Sequence, residues 1–343
     1  MELLRKLSEA SGIPGREEEI RELIREALAE HVDEISVDRL GNLIARKKGP
    51  GPKVAVAAHM DEIGFLVSHV DEKTGYLRIE PLGGFDPRTL IAKRVTVHTR
   101  AGPLVGLIGT KPIHILTEEE KKKKVEIKDL FVDLGLPGEK AKEAVRVGDP
   151  VTLRQSFSEV GELVSGKALD DRVGVYVGIE AMRRLSGQQA DVYFVGTVQE
   201  EVGLRGARTS AFALAPDIAV ALDVTLACDM PGVQEHQHIT RLGEGVAIKL
   251  KDSASISHPG LVRFLIEIAE EEKIPYQLEI LPRGGTDAGA MQLAREGAAV
   301  VTLSVPTRYV HSVVEAAHKK DIQAAIDLLV AFLARCHQAD LRL

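Results

Sequence analysis

The chain has no tryptophan, only 4% aromatic residues, two cysteines and a single asparagine, Asn42, among 343 residues. Scarce aromatics leave little material for the stacking platforms of a polysaccharide-cleaving site. Cys228 and Cys336 are too few for a disulfide framework in a chain of this size. No apolar run approaches the ~20 residues that cross a bilayer. Residues 1–30 are charged and helix-periodic, without the apolar centre of a signal peptide. Positive charge is not in excess either. The net charge is −7, so the basic stripe of a nucleic-acid binder is missing. The one basic run, residues 121–124, follows Glu118, Glu119 and Glu120 and reads as a solvated face. These absences predict a cytoplasmic protein with no membrane or nucleic-acid partner. The lone asparagine beside abundant Glu, Lys and Arg hints at a thermophilic source.

What remains is an ordinary globular composition, 44% hydrophobic and 28% charged. The length exceeds one typical core, which predicts a large domain with an insertion, or two domains. Leu3, Leu4 and Leu7 start a helical pattern that breaks at Ser11-Gly12-Ile13-Pro14-Gly15 and resumes over 17–29. Residues 54–58 form a continuous apolar run, as expected of a strand buried on both faces. From about residue 68 to 159 short β-prone runs alternate with turn signals. An α/β rhythm then returns, with helices expected over 173–185, 207–214, 261–272 and 320–336 and strands over 192–198, 218–224 and 298–305. The pattern predicts an α/β fold with a mixed central sheet sandwiched by helices. The division expected is a discontinuous domain of residues 1–67 and 160–343, which would carry any catalytic site, with 68–159 as a β-rich insertion.

Five short motifs sit where such folds place their chemistry, at strand ends and helix starts. His59-Met60-Asp61 closes the apolar run, with the imidazole and carboxylate on one side of an extended chain. That spacing suits a metal ligand and the acid that orients it, although a His-x-Asp alone is common. Glu200-Glu201 ends a buried strand ahead of Gly203 and Gly206. One glutamate can ligate a metal while its neighbour faces substrate as a general base. Asp170-Asp171 opens a helix and reads either as a cap with its neighbour or as a carboxylate bridging two cations. Asp223 ends another strand, where a charge needs a partner or a metal. His311 taken alone reads as structural.

The charges fit a pair of ions. Two divalent cations offset Asp170, Glu201, Asp223 and one bridging hydroxide, with His59 and His311 neutral. Nitrogen and oxygen ligands without sulfur put Zn first, with Co or Mn as substitutes. His236 and His238 lie in a polar loop and receive no role. The turn Gly284-Gly285-Thr286-Asp287-Ala288-Gly289 lacks a phosphate-loop lysine, and we assign it to the wall of a substrate pocket.

Ala58-His59-Met60-Asp61-Glu62-Ile63-Gly64, Ala168-Leu169-Asp170-Asp171-Arg172, Glu200-Glu201-Val202-Gly203, Leu222-Asp223 and Val310-His311-Ser312 resemble, in order and spacing, the dinuclear aminopeptidases that form tetrahedral, self-compartmentalising particles. That family includes glutamyl aminopeptidases and proteins labelled endoglucanase M, and the resemblance covers nearly the whole chain. It implies His59 and Asp223 on one metal, Glu201 and His311 on the other, and Asp170 bridging them. It also implies Glu200 as general base and acid, Asp61 orienting His59, and a cis peptide after Asp170. The reaction implied is release of the first residue of an unfolded peptide by a metal-bridged hydroxide. The insertion would be a dimerisation domain and the assembly a dodecamer. The nearest rival is a two-metal carboxypeptidase or deacylase, whose relatives carry an α/β rather than a hairpin-rich insertion. A glycanase, with two carboxylates flanking a sugar bond, and a non-catalytic assembly protein stand further off.

Overall fold

A computed structural model describes residues 1–342. Two helices, α1 (Glu2–Glu9) and α2 (Glu18–Leu28), precede three strands, β1 (Glu34–Val37), β2 (Leu43–Lys47) and β3 (Lys53–His59). Six more strands close a small barrel: β4 (Gly64–Val70), β5 (Leu77–Leu82), β6 (Arg94–Thr99), β7 (Gly102–Gly109), β8 (Phe131–Asp133) and β9 (Pro150–Leu153). The barrel segment also holds the short helices α3 (Glu118–Lys122) and α4 (Gly138–Ala144). Its own core is built from inward residues such as Phe65, Val67, Ile79, Val95, Val132 and Val151.

The chain then returns to the first sheet through β10 (Ser158–Val160) and β11 (Leu163–Gly166). Next come α5 (Leu169–Arg184), β12 (Asp191–Thr197), α6 (Arg205–Leu214), β13 (Ile218–Leu226), β14 (Val246–Lys251), α7 (Pro259–Glu272) and β15 (Tyr276–Ile280). The last elements are α8 (Asp287–Gln292), β16 (Ala299–Arg308), β17 (Glu315–His318) and α9 (Lys319–Arg335). The strand order is β1-β2-β12-β3-β13-β16-β17-β11-β10, with β14 joined to β16 and β15 beyond it. At the centre β12, β3, β13 and β16 run parallel. The outer strands pair antiparallel and only β14–β15 adds another parallel pair, so the sheet is mixed.

Period-two alternation explains which helices cover which face. Val54, Val56 and Ala58 of β3 join the main core with α5 and α9. Ala55 and Ala57, with Ala219 and Ala221 of β13, form the opposite face. These small side chains let α6 and α8 approach closely, through Ala207, Ala211, Ala288 and Ala290. That approach carries the glycine-rich turn before α8 toward the end of β3.

The α/β core agrees with the sequence expectation at nearly every periodic element. β14 and β15 carry no clear apolar period and were not expected as strands. They add a polar wing to the sheet. Among the described residues no helix is long and apolar enough to cross a membrane.

Candidate active site

The parallel strands deliver their carboxyl ends to one place, the position at which open α/β sheets bind ligands. His59 ends β3, Asp223 lies near the end of β13, Glu200 and Glu201 follow β12, and His311 follows β16. Asp170 opens α5 from across the sheet edge, and its peptide bond to Asp171 is cis. Six of the seven predicted residues line one cavity. His59 Nε2 lies 3.0 Å from Asp170 Oδ1, and His311 Nε2 lies 3.3 Å from Asp170 Oδ2. His311 Nε2 is also 3.4 Å from Glu201 Oε1, and His59 Nε2 is 4.0 Å from Glu200 Oε2. One ligand atom each from His59, Asp170 and Glu201 falls within a mutual spacing of 4.8 Å.

Asp61 is close by, with a different contact from the one expected. Its carboxylate accepts from the backbone N–H groups of Glu200 (2.9 Å) and Glu201 (3.0 Å). His59 Nδ1 instead meets the Asp61 backbone oxygen at 3.0 Å, and the nearer carboxylate oxygen stands off at 3.7 Å. The chain leaves extended geometry after His59, so the carboxylate swings away from the ring and under the Glu200–Glu201 turn. Asp61 therefore fixes the two glutamates directly, and His59 through its main chain.

Two further carboxylates brace the cluster, and sequence reasoning gave neither a defined task. Asp171 accepts from the N–H of His59 (3.2 Å) and of Gly174 (3.1 Å). Glu315, fully buried on β17, accepts from the N–H of both Asp170 (3.0 Å) and His311 (2.7 Å). It thus ties together two backbones remote in sequence. Asp287, at the start of α8, accepts from Thr197 Oγ1 at 2.5 Å and keeps its other oxygen unpartnered.

The electrostatics follow from crowding. Burial pushes Glu200 and Asp223 well above the usual carboxylate range, and neighbouring carboxylates add to the effect. Burial also raises Glu201 and, with Asp223, Asp171. The imidazoles show the complement. Burial opposes their protonation, but Asp170 and Glu200 hold His59 well above its ordinary value, and Asp170 and Glu201 bring His311 to about 11. Burial would raise Asp170, yet the His311 and His59 contacts win and depress it. Such a concentration of buried negative charge calls for cations.

A cavity of about 620 Å³ opens over the cluster. Its far wall includes Arg283, Gly284, Gly285 and Thr286, as expected for the glycine-rich turn. The wall also holds Lys249, wholly buried, 3.2 Å from Glu279 Oε1 and 3.9 Å from Asp252 Oδ2. His236 lies in a one-turn 3-10 helix and His238 directly after it, and neither joins a cluster of potential ligands among the described residues.

Comparison with known proteins agrees with this geometry. The sequence profile of the M42 glutamyl aminopeptidase family matches residues 41–328. A lysyl aminopeptidase of Pyrococcus furiosus is 40% identical over 345 residues, covering 99% of this chain and 98% of the relative. The crystal structure of a TET aminopeptidase from a marine-sediment thaumarchaeote superposes with a TM-score of 0.95 at 40% identity, covering 98% and 96% of the two chains. The TET1 peptidase of Pyrococcus horikoshii, which can assemble into a tetrahedron or a large octahedral shell, gives 0.87 at 37% identity over 97% and 98%. A profile match across most of the length, joined to relatives of this identity and coverage, means that the chain belongs to the M42 family of metal-dependent aminopeptidases.

Proposed function

We propose that this aminopeptidase holds two divalent ions, one on His59 and Asp223 and one on Glu201 and His311, with Asp170 shared between them. The observation that carries the assignment is the Asp170 carboxylate, whose two oxygens face the two imidazoles at 3.0 and 3.3 Å. The donor set is nitrogen and oxygen without sulfur, and its surplus of buried carboxylates fits divalent ions, Zn first and Co or Mn as substitutes. Ions held there supply Lewis acidity for a peptide carbonyl and make water easier to deprotonate. The chain's residues supply the rest. Glu200, raised in pKa and at the cavity surface, takes the proton of the attacking water and passes it to the departing amine nitrogen. Asp61 holds Glu200 and Glu201 in register by gripping both backbones. The acidic cavity favours a free N-terminal ammonium over a blocked one.

The barrel is assigned the role of dimerisation domain, supported by the exposed apolar side chains of Val105, Leu107, Ile113 and Ile115. A closed shell of dimers, a tetrahedral dodecamer, would then admit only unfolded peptides. The cytoplasm, where thiols stay reduced, suits the free Cys228 and Cys336.

The test is a panel of free and N-acetylated peptides and aminoacyl-anilides, assayed with Zn²⁺, Co²⁺ or a chelator. Release of the first residue alone, abolished by chelation or acetylation, is the expected outcome. Cleavage of acetylated peptides, or release from the carboxyl end, would overturn it in favour of a deacylase or carboxypeptidase.

A further inference from the structure

The substrate chamber does not end at the metal-ligand cluster. A second cavity of about 740 Å³ abuts the first and shares Gly84, Val310 and His311 with it. Its size is that of a ligand site, roughly 300–1,000 Å³. One wall is the segment after β5, with Phe85 and Ile91. The other follows β16, with Tyr309, Val313 and Val314. Phe85 is not loose, since its ring stacks on Phe65 of the barrel core with centroids 4.3 Å apart. Tyr309 and Val314 are half exposed, 50% and 45%, and leave apolar surface facing the cleft without a partner.

A glycine pair makes the junction. Gly83 has φ +91°, and a Cβ there would fall 2.5 Å from Ile63 Cγ2 and 3.2 Å from Glu201 Oε2. A Cβ at Gly84 would lie 3.5 Å from His311 Nδ1. The backbone therefore passes directly beside two of the proposed ligands and runs on into the second cavity, which is the close approach that glycine permits. The cluster itself lines the first cavity, and a peptide whose scissile carbonyl lies over it meets the second cavity at His311.

Charge sets the direction of the chain. The first cavity presents Glu200, the one carboxylate of the cluster that is not placed on an ion, to an ammonium group. In the second, the one lining carboxylate is Asp86, and both its oxygens take hydrogen bonds from Arg88 Nε at 2.9 Å. Arg88 and Lys93 also line the second cavity, so a free N-terminus is repelled there and finds Glu200 only in the first. We infer that the second cavity is the subsite for the residue that follows the scissile bond, and that it selects an apolar or aromatic side chain there. The inference rests on the aminopeptidase reading and extends it to the leaving peptide.

The test uses tripeptides in which the best-cleaved first residue is followed by Gly, Leu, Phe or Lys, with glycine last. For the wild-type enzyme kcat/KM should rise about tenfold or more when Leu or Phe replaces Gly, the usual worth of an apolar pocket. Val314→Asp and, independently, Tyr309→Ser should shrink that ratio to about twofold or less. Val314→Asp should also gain on the Lys peptide, a change that loss of structure alone would not produce. A wild-type ratio near one, or variants that slow every peptide equally and keep the ratio, would overturn the subsite. Absence of cleavage in all the tripeptides would instead count against the aminopeptidase reading.

Discussion

Two buried charge clusters lie at the two ends of the same short segments, and they are built on opposite principles. Glu62, Lys167 and Arg172 form the first. Lys167 Nζ donates to both Glu62 oxygens at 2.7 Å and to the Ala10 carbonyl at 2.9 Å. Arg172 donates to the carbonyls of Met60, Leu7, Ala10 and Gly12, and its Nη2 lies 3.5 Å from Glu62. One carboxylate here meets two cations, so this cluster is matched in hydrogen bonds rather than in charge, and it pins the turn after α1 to the loops that carry His59 and Asp170. The second cluster, a few residues away, is an unfinished account of charge, with carboxylates in excess and imidazoles that cannot neutralise them. A matched buried cluster holds a fold. A mismatched one awaits ions.

The comparison can be broken from either side. Glu200→Gln removes one negative charge from the mismatched cluster without removing a proposed ligand. We expect kcat to fall about 10²–10⁴-fold, with metal content per chain, measured by elemental analysis, unchanged. Full activity in that variant would remove Glu200 from the proton path. Arg172→Met attacks the matched cluster, removes the side-chain donor of the Met60 and Leu7 carbonyls, and leaves Ala10 to Lys167 and Gly12 to the Glu62 N–H alone. Breaking a buried pair costs about 3–5 kcal/mol, to be read from urea midpoints. A midpoint close to wild type would mean that the matched cluster clamps nothing.

Glu17 sharpens the contrast because it stands between the two. Its Oε1 accepts from the N–H of Gly15 (2.7 Å) and of Gln199 (3.1 Å), and burial, with Asp61 adding to it, raises its pKa to about 7. A carboxyl whose folded pKa exceeds its unfolded value favours the fold when protonated, so its contribution is lost as pH rises from about 4.5 to about 7. At ~1.4 kcal/mol per pKa unit the effect is on the order of 3–4 kcal/mol. Glu17→Gln keeps the acceptor oxygen and abolishes the titration. In chelator-treated protein the variant should therefore gain on wild type as pH rises through that window, and parallel stability curves would refute the assignment.

How much of this was legible in the sequence depends on the range of the interaction. His59, Glu200-Glu201 and Asp223 each end an apolar run, a local signal, and the run itself predicts the strand that places them. The β-rich texture of the insertion is equally local. Extended spacing predicts the Asp61 carboxylate beside the His59 ring, whereas the chain turns at that point and brings the Asp61 backbone oxygen there instead. In β14 and β15 Lys249, Lys251 and Glu279 interrupt the apolar alternation that marks a strand, and the buried charges of Lys249 and Glu279 are accommodated by pairing across the two strands. Lys167 and Glu62, at opposite ends of two motifs, carry no mark of being partners until the fold brings them together.

Glu315 is the clearest case, and it gives the smallest expected effect. Nothing in Val313-Val314-Glu315-Ala316-Ala317 distinguishes this glutamate, because its task is created by register. β17 pairs antiparallel with β11 so that Glu315 sits opposite Gly166, four positions before Asp170. From there one carboxylate oxygen reaches the Asp170 N–H and the other the His311 N–H. The side chain touches no substrate. It sets the separation of two residues that we place on the ions, and the supporting contacts of a metal site are typically worth 10–100-fold in affinity. Glu315→Gln offers one N–H an oxygen and turns an NH₂ group toward the other, so one backbone must retreat. Zn²⁺ affinity of the metal-free protein, measured by competition with a chromophoric chelator, should fall by that factor of about 10–100. Glu315→Asp, one methylene shorter, should be no better, because it cannot span both N–H groups. Wild-type affinity in both variants would show that the spacing of Asp170 and His311 is fixed by the sheet alone.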